Sequence, residues 1–454
     1  MSELQNLKDK LNKVSPSFCI AKWKQVTIHL ESGLTHSCHH PKAHTIPLDE
    51  LKKSPSALHN TNYKKDIRRK MLEGEYIEEC EYCNGIDRNS KQSFSDRVYK
   101  SNEYWARKYL HPIIEDGWDH NTFPSYLEVS FSHVCTCQCI YCGSTFSSKW
   151  GNEIKKFGGY PVKMFNRDFL ESPEPEYGDN DNNPYIKAFW EWWPYLYKNL
   201  EVFRITGGEP LLSQNTFKIL DYIIDNPRQN LDISINSNLC VGEKILTKFF
   251  NKMKTIANVK KDRTKFKVFT SCEAVGKKAE YIRHGMNYKQ WMKNCKRFLE
   301  EVPHSKLSFM CTYNILSITS FIDFLKDVLK LKKLFPLRVH IDIPYLMNPT
   351  YLNSSIITKD FLKYVEECVT FMYTNRDVPE WEPMSGVGFY DHESEKMRRV
   401  YNIIKHKPEN INVLNLRLGF VKFIDEWDRR HETNFLNTFP EYNKFYQENK
   451  NDNK

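Results

Sequence analysis

The sequence predicts an α/β protein whose centre is a partial (β/α)6 barrel of TIM type, with a small cysteine-rich module before it and a helical extension after it. Two observations predict the barrel. From about residue 125 onward, short apolar runs rich in β-branched and aromatic residues alternate with longer amphipathic stretches. Strand-then-helix units of this kind, repeating every ~30 to 40 residues, read as parallel strands joined by right-handed crossovers. The flanking parts lack that alternation.

The expected strands are YLEVSF (126–131), EVFRIT (201–206), LDISIN (231–236), FKVFTS (266–271), KLSFMCT (306–312) and RVHIDI (338–343). Between them TFKILDYIIDN, EKILTKFFNKM, YKQWMKNCKRFLEEV and ITSFIDFLKDVLKL carry helical periodicity. One interval breaks the rhythm. LESPEPEYGDNDNNPY (170–185) is rich in Pro, Gly, Asp and Asn, so it reads as an exposed loop within an insertion at 158–186. The helix after it holds Phe189, Trp190, Trp192 and Trp193, aromatic residues that suit core packing better than a substrate platform.

Three domains follow from this pattern: a module at 1–100, the barrel at 120–350 and an extension at 351–454. The module holds Cys19, Cys38, Cys80 and Cys83 among turn residues and one charged helix, NYKKDIRRKMLEGE, and reads as a fold that a metal helps to hold. The extension reads as helices ending in the solvated tail QENKNDNK.

The start, MSELQNLKDKLNK, is polar and charged, and no run approaches the ~18 apolar residues of a membrane span. A cytoplasmic protein with no membrane partner is expected. Thirteen cysteines in such a chain argue against a disulfide framework and for metal binding or catalysis. The formal charge of +9 is spread out, with one denser segment at 251–267. That segment permits nucleic-acid binding but carries few aromatics for base stacking, so a solvated helix face is favoured.

CTCQCIYC (135–142) follows the first expected strand directly, on the face where barrel enzymes place their chemistry. Cys135, Cys139 and Cys142 give C-x3-C-x2-C, three thiols with no fourth at comparable spacing. Structural zinc sites and cysteine-held iron-sulfur clusters both use four ligands, so three suggest an open position. Cys137 is poorly placed as the fourth, two residues from each neighbour in a tight loop. Strand two ends in RITGGEP, where Gly207 and Gly208 let backbone carbonyls approach a ligand and Glu209 complements a cation.

C-x3-C-x2-C with Tyr141 before its last cysteine, followed by Gly207, Gly208, Glu209 and Pro210 at the end of strand two, resembles the radical SAM superfamily. The resemblance implies a 4Fe-4S cluster on Cys135, Cys139 and Cys142, its fourth iron chelated by S-adenosylmethionine. It implies that the GGE turn receives the methionyl ammonium and that Arg283, in YIRHG, reaches the carboxylate. It places Asn236 and Asn238 of SINSN near the nucleoside, Ser271 and Glu273 of TSCEA near the ribose, and Thr312 and Pro344 near the adenine.

Cys19, Cys38 of GLTHSC, and Cys80 and Cys83 of ECEYC resemble the ligands of twitch-type auxiliary cluster domains, relatives of the longer SPASM domain. Such domains usually follow the barrel, whereas here the module comes first. The chain is similar to the N-terminal-twitch radical SAM proteins over module and barrel together. A second 4Fe-4S cluster is implied, with a zinc knuckle on the same cysteines, or one including His36, His39, His40 or His44, as the alternative.

These resemblances lead to a radical SAM oxidoreductase or maturase that cleaves S-adenosylmethionine reductively to a 5'-deoxyadenosyl radical and abstracts hydrogen from a substrate. A peptide or protein substrate is expected, with a flavodoxin or ferredoxin as electron donor. Two alternatives remain: a nucleotide, nucleic-acid or sugar substrate, and a zinc-stabilised binding protein with no catalysis. Cys137, Cys240, Cys272 and Cys311 fall near the same face, as hydrogen donors or as small buried residues.

Overall fold

A computed structural model describes residues 3–89, 93–162, 175–259, 266–377, 385–407 and 411–451. Its strands in chain order are β1 (Gln25–His29), β2 (Leu34–His36), β3 (His44–Thr45), β4 (Tyr126–Ser130), β5 (Gln138–Cys139), β6 (Val202–Thr206), β7 (Asp232–Asn236), β8 (Phe266–Ser271), β9 (Arg283–His284), β10 (Lys306–Met310) and β11 (Val339–Asp342). The chain is a mixed α/β protein with a large, mainly parallel sheet and many helices. All six strands expected from the sequence form, as β4, β6, β7, β8, β10 and β11. Their alternation is that of strands with one face packed: Phe203 and Ile205 on β6, and Ile233 and Ile235 on β7, are buried between half-exposed neighbours.

The chain divides into two compact units. One comprises Met1–Ser132, Pro175–Thr216 and Arg228–Ser234. Here β1 runs parallel to β4, pairing His29 with Ser130, and β4 runs parallel to β6, pairing Ser130 with Thr206. The N-terminal residues thus extend the parallel pairing by a strand that the sequence did not suggest, because QVTIH follows the four-residue helix Ala21–Lys24 directly and has no helix after it to complete a strand-then-helix unit. Strands β2 and β3 continue antiparallel beyond β1.

Behind these strands Phe18, Ile20, Trp23, Met71 and Trp105 form an apolar cluster, with Cys19 and Cys80 packed at its margin. The charged helix expected in this region is Asn62–Glu73, capped by the Thr61 side chain at its start and by Gly74 in the left-handed conformation at its end. It buries Lys64 and Arg68 beside Ile67 and Met71. Arg68 is buried completely, donating to the Lys22 carbonyl at 3.0 Å and to Asn60 Oδ1 at 2.8 Å.

Of the expected insertion, residues 163–174 lie outside the described residues. The part from Pro175 is held down, since the amides of Tyr177 and Gly178 donate to the Glu31 carbonyl at 3.0 and 3.2 Å. Helix Pro184–Asn199 then starts on the Asn183 side chain and buries Phe189, Trp192 and Trp193, the core role expected of them, whereas Trp190 is half-buried and donates from Nε1 to Asn215 Oδ1 at 2.8 Å.

The second unit comprises His133–Glu174, Phe217–Pro227 and Ile235–Lys454. In it β8, β10 and β11 are parallel neighbours, with Leu307 opposite Val268 and Val339. The short strands β5 and β9 form a separate antiparallel ribbon. Of the basic segment at 251–267, residues 260–265 lie outside the described residues, as do 452–454 of the tail. The C-terminal residues are helical as expected, chiefly Leu362–Thr374, Asp391–Lys405 and Ile411–His431.

One ion pair in this unit is wholly out of water. Lys332 on helix Phe321–Leu334 lies 2.9 Å from Glu393, and both side chains are 0 % exposed. Glu393 also accepts from the amides of Ile341 and Tyr390 at 2.9 and 3.0 Å. Removing one partner strands a charge in an apolar medium. Lys332→Met should therefore lower the unfolding free energy by ~3 kcal/mol in urea titration, and adding Glu393→Gln should recover most of it.

Candidate active site and cysteine pocket

The loop after β4 is built in the second unit from His133 onward. Its turns close on themselves: Ser148 Oγ accepts from the Cys135 amide at 3.3 Å, and the Cys139 carbonyl accepts from the Cys142 amide at 2.9 Å. The ribbon of β5 and β9 sets Cys139 opposite Arg283. Trp150 Nε1 donates to the Cys139 carbonyl at 2.9 Å, and Ser147 Oγ to the Cys137 carbonyl at 3.2 Å. Gly285, at φ +95°, passes so close that a Cβ there would lie 2.9 Å from the Thr136 carbonyl oxygen.

Beneath this loop sits a buried charge cluster. Arg283 and Glu273, 5 % and 1 % exposed, pair at 2.7 Å through Nη2 and at 3.2 Å through Nε. Tyr141 donates to Glu273 at 3.2 Å and in turn accepts from Arg283. The guanidinium also donates from Nη1 to Cys139 Sγ at 3.2 Å. Burial pushes the Cys139 and Cys142 thiols up to about 12, with Arg283 pulling against it at both. Burial likewise raises Glu273 above the usual carboxylate range, opposed by Arg283.

The structure therefore joins Tyr141, Glu273, Arg283 and Cys139 in one network. Asn238 also reaches this loop, donating to Thr136 Oγ1 at 3.0 Å and to Cys135 Sγ at 3.7 Å while accepting from the Cys240 amide at 2.8 Å. Asn236 and Ser271 lie at the ends of β7 and β8. Cys137 is buried, and Cys272 and Cys311 are buried at 0 % exposure.

The GGEP segment belongs to the first unit. Gly207 has φ +126°, and a Cβ on it would lie 2.5 Å from the Ser132 carbonyl oxygen and 2.9 Å from Ser130 Oγ, so only glycine fits. The Gly208 amide donates to Ser132 O at 2.9 Å. Glu209 is fully buried and caps the one-turn helix Pro210–Leu212 by accepting from the Leu211 amide at 3.0 Å.

Ser130 also donates to Glu31 Oε1 at 2.6 Å. Glu31 is buried just past β1, and its Oε2 has no hydrogen-bond partner among the described residues. His29 Nδ1 lies 4.0 Å from Glu31, and His29 Nε2 lies 3.3 Å from His36 Nε2. A lone glutamate in a β-turn sequence carried no signal of this burial.

Cys19, Cys38, Cys80 and Cys83 line one small pocket of the first unit, together with Lys22, Arg97 and Lys100. Lys22 is buried and paired with Glu79, and Arg97 donates to Asp87 Oδ2 at 3.0 Å. Burial pushes Cys80 and Cys83 up to about 12, Lys22 opposing it at Cys80. Thiols of this kind ionise on binding a metal, and the cations complement the negative charge of a thiolate-ligated centre. A single zinc ion with 2.3 Å bonds would draw its sulfurs to about 3.8 Å of one another. Among the described residues the His, Cys, Asp and Glu ligand atoms that converge in threes within 4.8 Å are those of His39, His40 and Asp96, not the sulfurs of either cysteine set.

No known family profile and no curated protein matches the sequence. Among solved structures, Streptococcus suis SuiB bound to S-adenosylmethionine is similar at 16 % identity and a TM-score of 0.36, over 78 % of this chain and 71 % of that one. SuiB bound to precursor peptide SuiA is similar at 13 % identity and a TM-score of 0.35, over 81 % of this chain and 71 % of that one. SuiB alone gives 14 % and 0.36, over 76 % and 68 %. Likeness at this level carries no functional argument. No helix among the described residues is long and apolar enough to cross a membrane.

The pH dependence of folding should report Glu31. Burial, opposed by the Ser130 hydrogen bond, raises its carboxyl from 4.5 to about 7. The folded state keeps this proton where the unfolded chain has lost it, so the contribution is complete below about 4.5 and disappears as pH rises through about 7. Glu31→Gln should flatten that fall and leave the variant up to about 3 kcal/mol more stable than wild type above neutrality, read by urea titration across the window.

Proposed function

We propose that the chain is a radical SAM enzyme on a partial (β/α)6 barrel, with a second iron-sulfur site of twitch type in its N-terminal residues. The observation that carries the reading is the loop itself. Three cysteines spaced C-x3-C-x2-C follow the first parallel strand expected from the sequence, and one of them takes a hydrogen bond from a buried arginine. The GGEP turn supports it independently, because Gly207 tolerates no side chain.

Cys135, Cys139 and Cys142 would hold the cluster, which when bound supplies one electron to S-adenosylmethionine and releases a 5'-deoxyadenosyl radical. The protein's own residues do the rest. Arg283 Nη1 stabilises a thiolate at Cys139, and Glu273 with Tyr141 keeps the guanidinium in place. Asn238 supports Cys135 in the same way. With the Glu209 carboxylate capping its own helix, the GGE turn would receive the methionyl ammonium on backbone carbonyls. Asn236 and Ser271 are the polar ends of their strands and would face the nucleoside. Cys19, Cys38, Cys80 and Cys83 would hold the second 4Fe-4S cluster, with Lys22, Arg97 and Lys100 balancing its charge. A peptide substrate and a small iron-sulfur or flavin electron donor complete the proposal.

The test is anaerobic reconstitution followed by iron, sulfide and zinc analysis and electron paramagnetic resonance with and without S-adenosylmethionine. About eight irons per chain are expected, falling to about four when Cys135, Cys139 and Cys142 are together changed to alanine. The signal perturbed by S-adenosylmethionine, and 5'-deoxyadenosine release, should vanish in that variant. Zinc without iron, or a signal indifferent to S-adenosylmethionine, would overturn the reading.

A further inference from the structure

His39 and His40 are consecutive, yet both rings turn to the same side. The segment around them is a bend rather than a strand, so the alternation that would send neighbouring side chains apart does not operate. Their ring centroids lie 4.1 Å apart, and Tyr82 stacks on His40 at 4.1 Å with planes 19° apart. Both Nε2 atoms face one carboxylate oxygen: Asp96 Oδ2 lies 3.2 Å from His39 and 2.8 Å from His40. Two imidazole nitrogens and one carboxylate oxygen lie within 4.8 Å of one another.

We propose that His39, His40 and Asp96 form a mononuclear site for a divalent first-row transition metal ion, separate from the sulfur set of the cysteine pocket. The donor set selects the ion. Imidazole suits zinc, iron or cobalt, whereas calcium and magnesium prefer an all-oxygen shell. Three protein ligands leave further positions open, and the site can fill them with water because His39 is 62 % exposed. Asp96 is the first residue of helix Asp96–Asn102, and its carboxyl is held well below the usual range chiefly by hydrogen bonds from His39 and His40, so it is available as an anion. A bound ion takes the place of the imidazole protons that Asp96 now faces. Tyr82 fixes the ring plane of His40, as a ligand's supporting shell must.

The site has a structural consequence. His40 and Asp96 also line the cysteine pocket, so an ion here would tie the segment carrying Cys38 to the helix across the pocket. A ligand bound only by the folded chain stabilises it, and this reading therefore predicts a metal-dependent melting temperature that does not depend on S-adenosylmethionine.

The experiment uses the full chain after cluster reconstitution and removal of loose metal, titrated with cobalt(II) and back-titrated with zinc(II). One cobalt per chain beyond the iron content is expected, with visible d–d absorption, no thiolate charge-transfer band and a rise in melting temperature. His39→Ala and Asp96→Asn should each weaken cobalt binding by about tenfold or more, with iron content unchanged. Because His39 is largely exposed, its variant decides the matter if Asp96→Asn proves unstable. Equal cobalt uptake by wild type and His39→Ala, or uptake marked by thiolate charge transfer alone, would overturn the site. A chain that binds cobalt here but holds no iron would leave this inference standing and sink the radical SAM reading.

Discussion

A buried arginine beside a buried glutamate is the constraint around which the cysteine loop is arranged. Neither Arg283 nor Glu273 could stay ionised out of water alone, and their pairing leaves further N–H groups on the guanidinium that need acceptors. Tyr141 and Cys139 supply them. The loop that carries the cysteines is thus held by charge satisfaction as well as by the β5 and β9 ribbon, and its position follows from where β8 ends. Replacing Arg283 would strand Glu273 and release Cys139 together.

The first unit solves a similar problem with the opposite sign. Lys22, Lys64, Arg68 and Arg97 are all buried there, an unusual concentration of cations for an interior. Arg68 is satisfied by backbone and amide oxygens, Lys22 by Glu79, and Arg97 by Asp87. Of these buried cations Lys22 and Arg97 line the cysteine pocket, with Lys100 beside them. Burial pushes the Cys80 and Cys83 thiols up, and the nearby Lys22 opposes this at Cys80, as positive charge beside a thiol favours its thiolate.

Much of the architecture was legible because it is periodic. Short runs rich in β-branched and aromatic residues marked β4, β6, β7, β8, β10 and β11, and the 3.6-residue pattern marked the helices between them. β1 escaped because QVTIH follows a single helical turn and is followed by β2 and β3 rather than by an amphipathic helix, so it stands outside the strand-then-helix repeat. The cysteine loop and the GGEP turn were legible for another reason: a run of cysteines and a Gly-Gly step are rare enough to be noticed singly. Glu31, Lys22 and Arg97 were not, since a lone charge in a sequence reads as solvated, and only packing reveals that it is buried.

The sequence by itself determined the alternation of strands and helices, the location of both cysteine sets and the position of the turn that only glycine can make. These are local properties, set by periodicity, residue type and backbone freedom over a few residues. Tertiary structure alone decided that β1 extends the parallel pairing and that His39, His40 and Asp96 converge. Those are contacts between residues far apart in the chain, and chain separation carries no record of which of them will be desolvated together.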